Sequence, residues 1–484
     1  MSTESLLTRI RERRPLTVRE QIVLPLSMSL PAILAQLSNV IMQYIDAGMV
    51  GSLGADASSA IGLVASSTWL FHGVCQAANA GFTVQAAQSC GAGDHRRTRS
   101  LLYASFFTCL GLSLVLGAFA AGISGRLPVW LGGSGGMLRG ASSYFLIFAL
   151  SLPFFQLCEL CSGMLQSTGD MKSPGFWYAV MCLMDVAFNF LLIYPTRELT
   201  VLNAVVRIPG AGLGVAGASL GTALAHVVTA VILLVRVMYR SPILKVRRGE
   251  KLRMSRKDVL RAARISLPVA VESVMMTGAY VASTRIVAPL GGVALSANSF
   301  AVTVEGLCYM PGYGISAAAA ALTGQCVGAG DRRMCRRMVW NSCLLGIGIM
   351  SLTAFLMYLA APWIIGLLTP IEEIRLLAVR VLRIQCFAEP MFAASIVAAG
   401  ALRGAGDTLI PGLLGFGTMW FIRLPFSMLV AARSGLIGVW VVMAVEICVR
   451  GILFLIRLAD ARWLDRAFHE RRLASPEGGQ RKDL

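Results

Sequence analysis

Charge is what this sequence has least of. Of its 484 residues, 14% are Asp, Glu, Lys or Arg, against about 25% in ordinary water-soluble domains. Acids are the scarcer half: 25 Asp and Glu stand against 43 Lys and Arg. Histidine occurs only four times, widely scattered. The scarcity of charge excludes a solvated polar surface over most of the chain. The scattered histidines offer no spaced ligand set for a metal. Twelve cysteines are present, but nearly all fall inside apolar stretches, where a free thiol packs as a small core residue. One C-x-x-C, Cys158 to Cys161, lies in the middle of such a stretch. Core packing is the simpler reading of it, with redox or metal chemistry the alternative, and no second C-x-x-C or histidine pair completes a site. His72 and His226 lack a ligand set, and no nucleophile–base pair is evident. The sequence therefore predicts no enzyme, no catalytic residue, no metal and no cofactor.

What is abundant is apolar length. The chain is 56% hydrophobic, and runs such as Leu101 to Ile123 carry no charge at all. About 20 apolar residues cross the hydrocarbon core as a helix, and helices satisfy every backbone polar group within the segment. The breaks between runs predict twelve spans: 22–49, 57–84, 99–123, 139–164, 174–195, 211–238, 261–289, 293–324, 338–361, 375–401, 409–432 and 435–459. The basic, polar opening and the long first run predict no cleavable signal.

The formal net charge is +18. The basic residues cluster between spans, so they read as loops facing the cytoplasm and anionic lipid, not as a nucleic-acid surface. The richest cluster, Tyr239 to Arg264, falls midway along the chain. The expected protein is a multi-pass monomer of the cell membrane with both termini cytoplasmic and membrane lipids as partners.

One offset organises the sequence. Gly91-Ala92-Gly93-Asp94 recurs as Gly328-Ala329-Gly330-Asp331, a shift of 237 positions (328 − 91 = 237). The same shift lays Ser29-Leu30-Pro31 on Ser266-Leu267-Pro268, Leu53-Gly54 on Leu290-Gly291, and Pro153 on Pro390. It also lays Gln166–Pro174 on Arg403–Pro411. One offset across so many elements indicates an internal duplication. Six spans separate the repeats, an even number, so both halves enter the membrane in the same direction and form a parallel repeat. The expected fold is all-α: twelve transmembrane helices in two pseudo-symmetric six-helix bundles. It divides as an N-terminal segment (1–21), a first lobe (22–238), a basic linker (239–260), a second lobe (261–459) and a tail (460–484). The GAGD stretches read as tight turns, with Asp94 and Asp331 capping the next helix. No Gly-Lys-Ser/Thr follows to make a phosphate loop.

Polar side chains inside spans are expensive and point to function. On the first helix Gln36, Asn39, Gln43 and Asp46 share one face by their spacing. His72, Gln76, Asn79 and Thr83 do so on the second, and Ser219, Thr222, His226 and Thr229 on the sixth. Gln156 and Glu159 lie on the fourth, Asp185 and Asn189 on the fifth. Such stripes predict a hydrated interior in the first lobe. Under the shift, Asp46 falls on Ser283, so the acid has no counterpart. The second lobe keeps Glu272, Glu305, Asn298 and Glu389, with Met276 and Tyr280 among them. That mixture suits bulky, partly apolar cations, and helix packing accounts for any single Met or Tyr equally well. Arg423 lies mid-span without an evident partner, while Glu446 and Arg450 are spaced to neutralise each other.

Three stretches carry a resemblance: Asp46–Gly54 (DAGMVGSLG), Gly212–His226 (GLGVAGASLGTALAH) and Gly400–Pro411 (GALRGAGDTLIP). With two halves of six helices, the chain resembles the MATE family of multidrug and toxic compound extrusion transporters over nearly its whole length. The resemblance implies export of small organic cations, driven by H⁺ or Na⁺ entry, by alternating access of two lobes. It also implies that Asp46 is the cation-coupling residue, with Asp185 and Asn189 at the fifth-helix position in inverted order, and Gln36, Asn39 and Gln43 around them. An acid expected on the tenth helix is replaced by Phe392, with Glu389 one turn earlier, which favours the DinF-like branch. The implied cavity draws on Gln76, Asn79, Gln156, Glu159, His226, Glu272, Met276, Tyr280, Glu305 and Glu389. The rival reading is a flippase for lipid-linked saccharides, which would want several cationic residues in its cavity. A structural role for Asp46, with Arg285 or His226 as its basic partner, is the plain alternative to coupling.

Overall fold

The computed structural model describes residues 3–201, 204–247, 250, 252 and 254–474. The end of the expected tail, 475–484, and linker positions 248, 249, 251 and 253 lie outside them. The chain opens with a short amphipathic helix, α1 (Thr3–Arg11). The first lobe follows as α2 (Val18–Gly51), α3 (Ala55–Gly91), α4 (His95–Ile123), the single turn α5 (Leu127–Trp130), α6 (Met137–Thr168), α7 (Lys172–Ile193) and α8 (Val215–Val235). Between α7 and α8 an antiparallel hairpin intervenes, β1 (Pro195–Val201) and β2 (Ala204–Ala211). Among the described residues this is the only sheet, and it falls in a connection, where β-branched residues outside the bilayer are free to extend.

The second lobe comprises α9 (Arg256–Val287), α10 (Gly292–Ala329), α11 (Arg332–Leu368), α12 (Glu372–Cys386), α13 (Glu389–Ala405), α14 (Leu409–Thr418) and α15 (Leu424–Ala459). A last helix, α16 (Arg462–Ala474), lies beyond it. The expected tenth span is two helices, α12 and α13, bent by 56°. Pro390 stands in the first turn of α13, where its missing N–H costs nothing. Its counterpart Pro153 lies inside the unbroken α6, so a proline at this position permits a bend without imposing one. The eleventh span runs through α14, a π-helical turn (Met419–Arg423) and the start of α15. The twelfth is the rest of α15 beyond Gly435, whose φ of 58° and ψ of −149° break the helix. Each of the twelve expected ranges is thus largely helical, and among the described residues nine helices, or ten with the bent pair taken as one, are long and apolar enough to cross a membrane.

The lobes meet through reciprocal pairs: α3 lies against α9, α2 against α10, and α3 crosses α10 at the centre. The crossing sits at the ends that carry the basic loops. Each GAGD stretch divides its work there. Gly93 (φ 77°) and Gly330 (φ 83°) make the turn. Asp94 accepts from the Arg97 N–H and Asp331 from the Met334 N–H, each at 2.9 Å. Gly91 and Gly328 belong instead to the helices and to the seam. A Cβ at 91 would lie 2.1 Å from the Gln325 carbonyl oxygen, and a Cβ at 328 would lie 2.0 Å from that of Gln88. Gln88 and Gln325 are themselves related by the offset of 237. Each donates across the seam: Gln325 Nε2 to the Ser167 carbonyl at 2.9 Å, and Gln88 Nε2 to that of Gly404 at 3.4 Å.

The N-terminal segment is not a plain flank. Leu6, Leu7 and Ile10 of α1 are no more than 3% exposed. Arg11 donates to the Thr168 carbonyl of the first lobe at 3.0 Å and to Gln325 Oε1 of the second at 3.2 Å. Arg13 adds a bond to the Ala329 carbonyl at 2.7 Å. The basic ends are therefore sealed. At the opposite ends Gly48, Gly54, Gly62, Gly291 and Gly292 have nothing within 4 Å of where a Cβ would stand.

The linker is tied down at one point. Arg99, 5% exposed, donates to both carboxylate oxygens of Glu250 at 2.7 and 2.8 Å and to the Ile243 carbonyl at 3.1 Å. The Arg99 bonds hold the Glu250 carboxyl below its ordinary value of 4.5. A depressed carboxylate pKa stabilises above that value and fades as pH falls through the folded one. Glu250→Gln should leave a buried guanidinium half-paired and speed tryptic cleavage at Lys245 and Arg247 several-fold at neutral pH. Unchanged cleavage, followed by gel or mass spectrometry, would show that the tie does not order the linker.

Candidate functional site

In the first lobe, α2 and α7 bring an acid each to one amide. Asn189 Nδ2 donates to Asp46 Oδ1 at 2.6 Å and to Asp185 Oδ2 at 3.0 Å. Asp185 and Asn189 are one turn apart on α7, so the amide and its acid share a face. Both are fully buried, whereas Asp46 is half-buried. The two carboxyl groups lie against each other, with the Thr222 hydroxyl of α8 beside both. Gly221 leaves the room: a Cβ there would stand 2.0 Å from Asn189 Oδ1. Asp185 Oδ1 and Asn189 Oδ1 have no hydrogen-bond partner among the described residues. Neither Arg285 nor His226 forms an ion pair with Asp46 among the described residues. His226 Nδ1 contacts the Thr222 carbonyl at 2.8 Å. Its ring faces Phe155, on which His72 stacks at 4.0 Å between centroids.

The rest of the first-lobe set is divided. Gln36 and Asn39 are half-buried and Gln43 is exposed, and none makes a side-chain hydrogen bond among the described residues. Of the α2 stripe, Asp46 alone joins the acid pair. Gln76 is exposed. Asn79 accepts from Gln156 Nε2 at 2.6 Å, and Glu159 accepts from the Tyr178 hydroxyl. The Asn79–Gln156 and Glu159–Tyr178 bonds are separate from the group formed by Asp46, Asn189 and Asp185.

The second lobe holds the cavity, about 580 Å³, which Trp69 of α3 reaches from across the lobe boundary. Glu272, Met276, Tyr280 and Glu305 line it. Gln76, Asn79, Gln156, Glu159, His226 and Glu389 do not. Glu389 is 1% exposed, and both its oxygens lack a partner among the described residues. Three arginines also line the cavity. Arg403 Nη2 donates to both oxygens of Glu272 at 2.8 Å. Arg450 Nε lies 3.4 Å from Glu446 Oε1, and its guanidinium sits 5.3 Å over the Phe392 ring. Arg423 Nη2 reaches only the Met443 sulfur, at 2.6 Å.

Several of these residues escaped the sequence reading. Arg403 stood there only as part of a repeat, although the shift pairs it with Gln166, a change of charge between equivalent places. Gln88 and Gln325 were legible as an equivalent pair just ahead of each GAGD. Thr222 stood in the sixth-helix stripe, but spacing alone does not say which stripe member meets which neighbour.

A family model described as MatE matches residues 31–191 and again 268–429. The chain belongs to the MatE family. The second match starts 237 residues after the first (268 − 31 = 237), so this MatE chain carries the family unit twice at the offset of its own internal repeat. It is a membrane transporter of that family, not an enzyme. It is similar to the probable multidrug resistance protein NorM of Thermotoga maritima, at 25% identity over 465 residues, 93% of this chain and 94% of that protein. It is 24% identical to the uncharacterized transporter YisQ of Bacillus subtilis over 389 residues, 80% of this chain and 83% of that one. Two solved structures share the MatE fold. One is a MOP superfamily transporter from Pyrococcus furiosus, with TM-score 0.84, 17% identity, and coverage of 96% of this chain and 99% of that one. The other is the Vibrio cholerae MATE transporter VcmN, with TM-score 0.82, 16% identity, and coverage of 96% and 100%.

Proposed function

We propose that this MatE protein is a multidrug exporter: a secondary active antiporter that moves organic cations outward in exchange for H⁺ or Na⁺ by alternating access. The observation that carries the reading is the pair of carboxyl groups, Asp46 and Asp185, bridged by the Asn189 amide inside a membrane lobe. Two carboxylates so close repel unless a proton or cation is held between them. An arriving ion occupies that place, and its arrival or departure changes the charge of the lobe by one. The relatives named as multidrug resistance proteins support the choice of cargo.

With the basic loops placed in the cytoplasm by the positive-inside rule, the sealed ends face inward. Both termini are then cytoplasmic, and the arginines lie at the anionic headgroups of the cell membrane. A saccharide-lipid flippase would want uncompensated cations for a pyrophosphate, but two of the three cavity arginines are matched by Glu272 and Glu446.

The reading is tested in proteoliposomes carrying a fluorescent organic cation, with a proton gradient and a sodium gradient imposed separately. At least one gradient should drive dye movement well above protein-free liposomes. Movement under neither would refute it.

A further inference from the structure

Where α8 ends, the chain turns away from the helix and folds back beside it. The end is a π-helical turn, Arg236–Arg240, closed by the Ser241 N–H on the Arg236 carbonyl at 2.9 Å. Leu244 is fully buried and pins the fold-back, its N–H donating to Ser241 Oγ at 3.2 Å. Farther on, Arg99 grips the Glu250 carboxylate and the Ile243 carbonyl. The stretch 245–247 is therefore held on both sides. Between it and the helix end lies a cleft of about 660 Å³. Leu234, Val235 and Met238 line it from the helix, with Tyr239 beside them, and Lys245 and Arg247 line it from the returning chain.

The two sides of the cleft ask for different things. Val235 is 46% and Tyr239 70% exposed, so the helix side offers apolar surface that the protein itself does not cover. Lys245 and Arg247 form no ion pair among the described residues, whereas the basic residues around them do: Arg236 Nη2 lies 3.2 Å from Asp170 Oδ2, and Arg99 holds Glu250. The helix that ends here is long and apolar enough to span the bilayer, which brings its basic end to the level of the headgroups. A soluble anion would meet the cations and leave the apolar side wet. An acyl chain alone would cover the apolar side and leave the cations unmet.

We propose that this cleft binds one anionic phospholipid, with the phosphate on Lys245 and Arg247 and the start of an acyl chain along Leu234, Val235 and Met238. Basic pockets at the cytoplasmic ends of membrane helices suit such headgroups. The guanidinium of Arg247 offers the phosphate two parallel hydrogen bonds, and Lys245 adds a compact charge. A headgroup without an amine, as in phosphatidylglycerol, is favoured, because ethanolamine would bring an ammonium against these two cations. The bound lipid joins the last helix of the first lobe to the linker between the lobes. The proposal does not depend on the cargo or the coupling ion.

The test is a titration of delipidated full-length protein, in neutral detergent, with phosphatidylglycerol or phosphatidylethanolamine of the same chains. Native mass spectrometry reads the fraction of protein carrying one lipid. The wild type should take phosphatidylglycerol at least about tenfold more tightly, the scale of two basic side chains at an anionic surface. Lys245→Gln with Arg247→Gln should bring its affinity down to that for phosphatidylethanolamine. Arg256→Gln with Lys257→Gln, which removes the same charge from exposed positions at the start of α9, should leave the preference intact. Met238→Trp, which fills the cleft and keeps both cations, should weaken phosphatidylglycerol binding several-fold, and it carries the test should the first pair fail to accumulate. Equal affinity of the wild type for the two lipids overturns the proposal. So does an equal loss in the Arg256 and Lys257 pair, which would mark a diffuse basic field. Displacement of phosphatidylglycerol by soluble glycerol phosphate would mark a site for free phosphate and overturns it too.

Discussion

Asp46→Asn should insert and accumulate normally, yet its gradient-driven efflux should drop to the leak of protein-free liposomes. The substitution is nearly isosteric. Its amide oxygen can still accept from Asn189 Nδ2, which lies 2.6 Å from Asp46 Oδ1, so the contact between α2 and α7 survives. What disappears is the ability to gain and lose a charge. An acid is costly inside a membrane unless hydrated, paired or protonated, and this one has an amide and a second acid beside it rather than a base. The position equivalent under the repeat is Ser283, so the fold does not demand a carboxylate. Asp185→Asn should give the same phenotype, because the ion place belongs to the pair. Full ion-driven efflux by Asp46→Asn at wild-type abundance would move the coupling role to Asp185 alone or to the second lobe.

Gly91→Val and Gly328→Val should each abolish transport by preventing closure of the basic ends. The Cβ of either would stand 2.1 or 2.0 Å from a backbone oxygen of the facing helix. A backbone in a helix cannot step aside as a flexible side chain can, so the helices must separate. Cys90 and Cys326, fully buried beside the crossing, should then react with a membrane-impermeant maleimide applied from the basic side. Gly93→Ala is the contrast. It strains only a left-handed turn (φ 77°), costing about 1 kcal/mol, and should lower abundance without opening the seam. Normal transport by both valine variants, with both cysteines still protected, would mean that the crossing does not gate.

Why the seam was missed in the sequence is instructive. GAGD is spelled like a turn, and half of it is one: Gly93 and Gly330 have the positive φ. Gly91 and Gly328 answer to a partner helix more than two hundred residues away, and no local pattern announces such a partner. The repeat, the twelve spans and the shared face of Asp185 and Asn189 were legible because each is a matter of spacing within one chain segment. That Asp46 meets Asn189, 143 residues on, comes from how α2 packs on α7, which periodicity does not encode. The cavity list divides for the same reason. Glu272, Met276, Tyr280 and Glu305 line the space, while Gln156 donates to Asn79. Amphipathic spacing marks the inward face but not whether that face meets water or another polar helix. The tenth helix adds a different limit: equivalent prolines, 153 and 390, leave one helix whole and bend the other.

The docking of α1 bears on how the molecule is made. Arg11 is translated ahead of both repeats, and its acceptor Gln325 follows 314 residues later. At ~10 residues per second, on the order of half a minute of synthesis separates them. Through that interval Leu6, Leu7 and Ile10 have no finished surface to cover them, and the headgroup region is the nearest apolar shelter for a short basic amphipathic helix. A segment translated ahead of both repeats is thus among the last to be placed, and its arrival at the seam can happen only after both repeats are in the bilayer and paired.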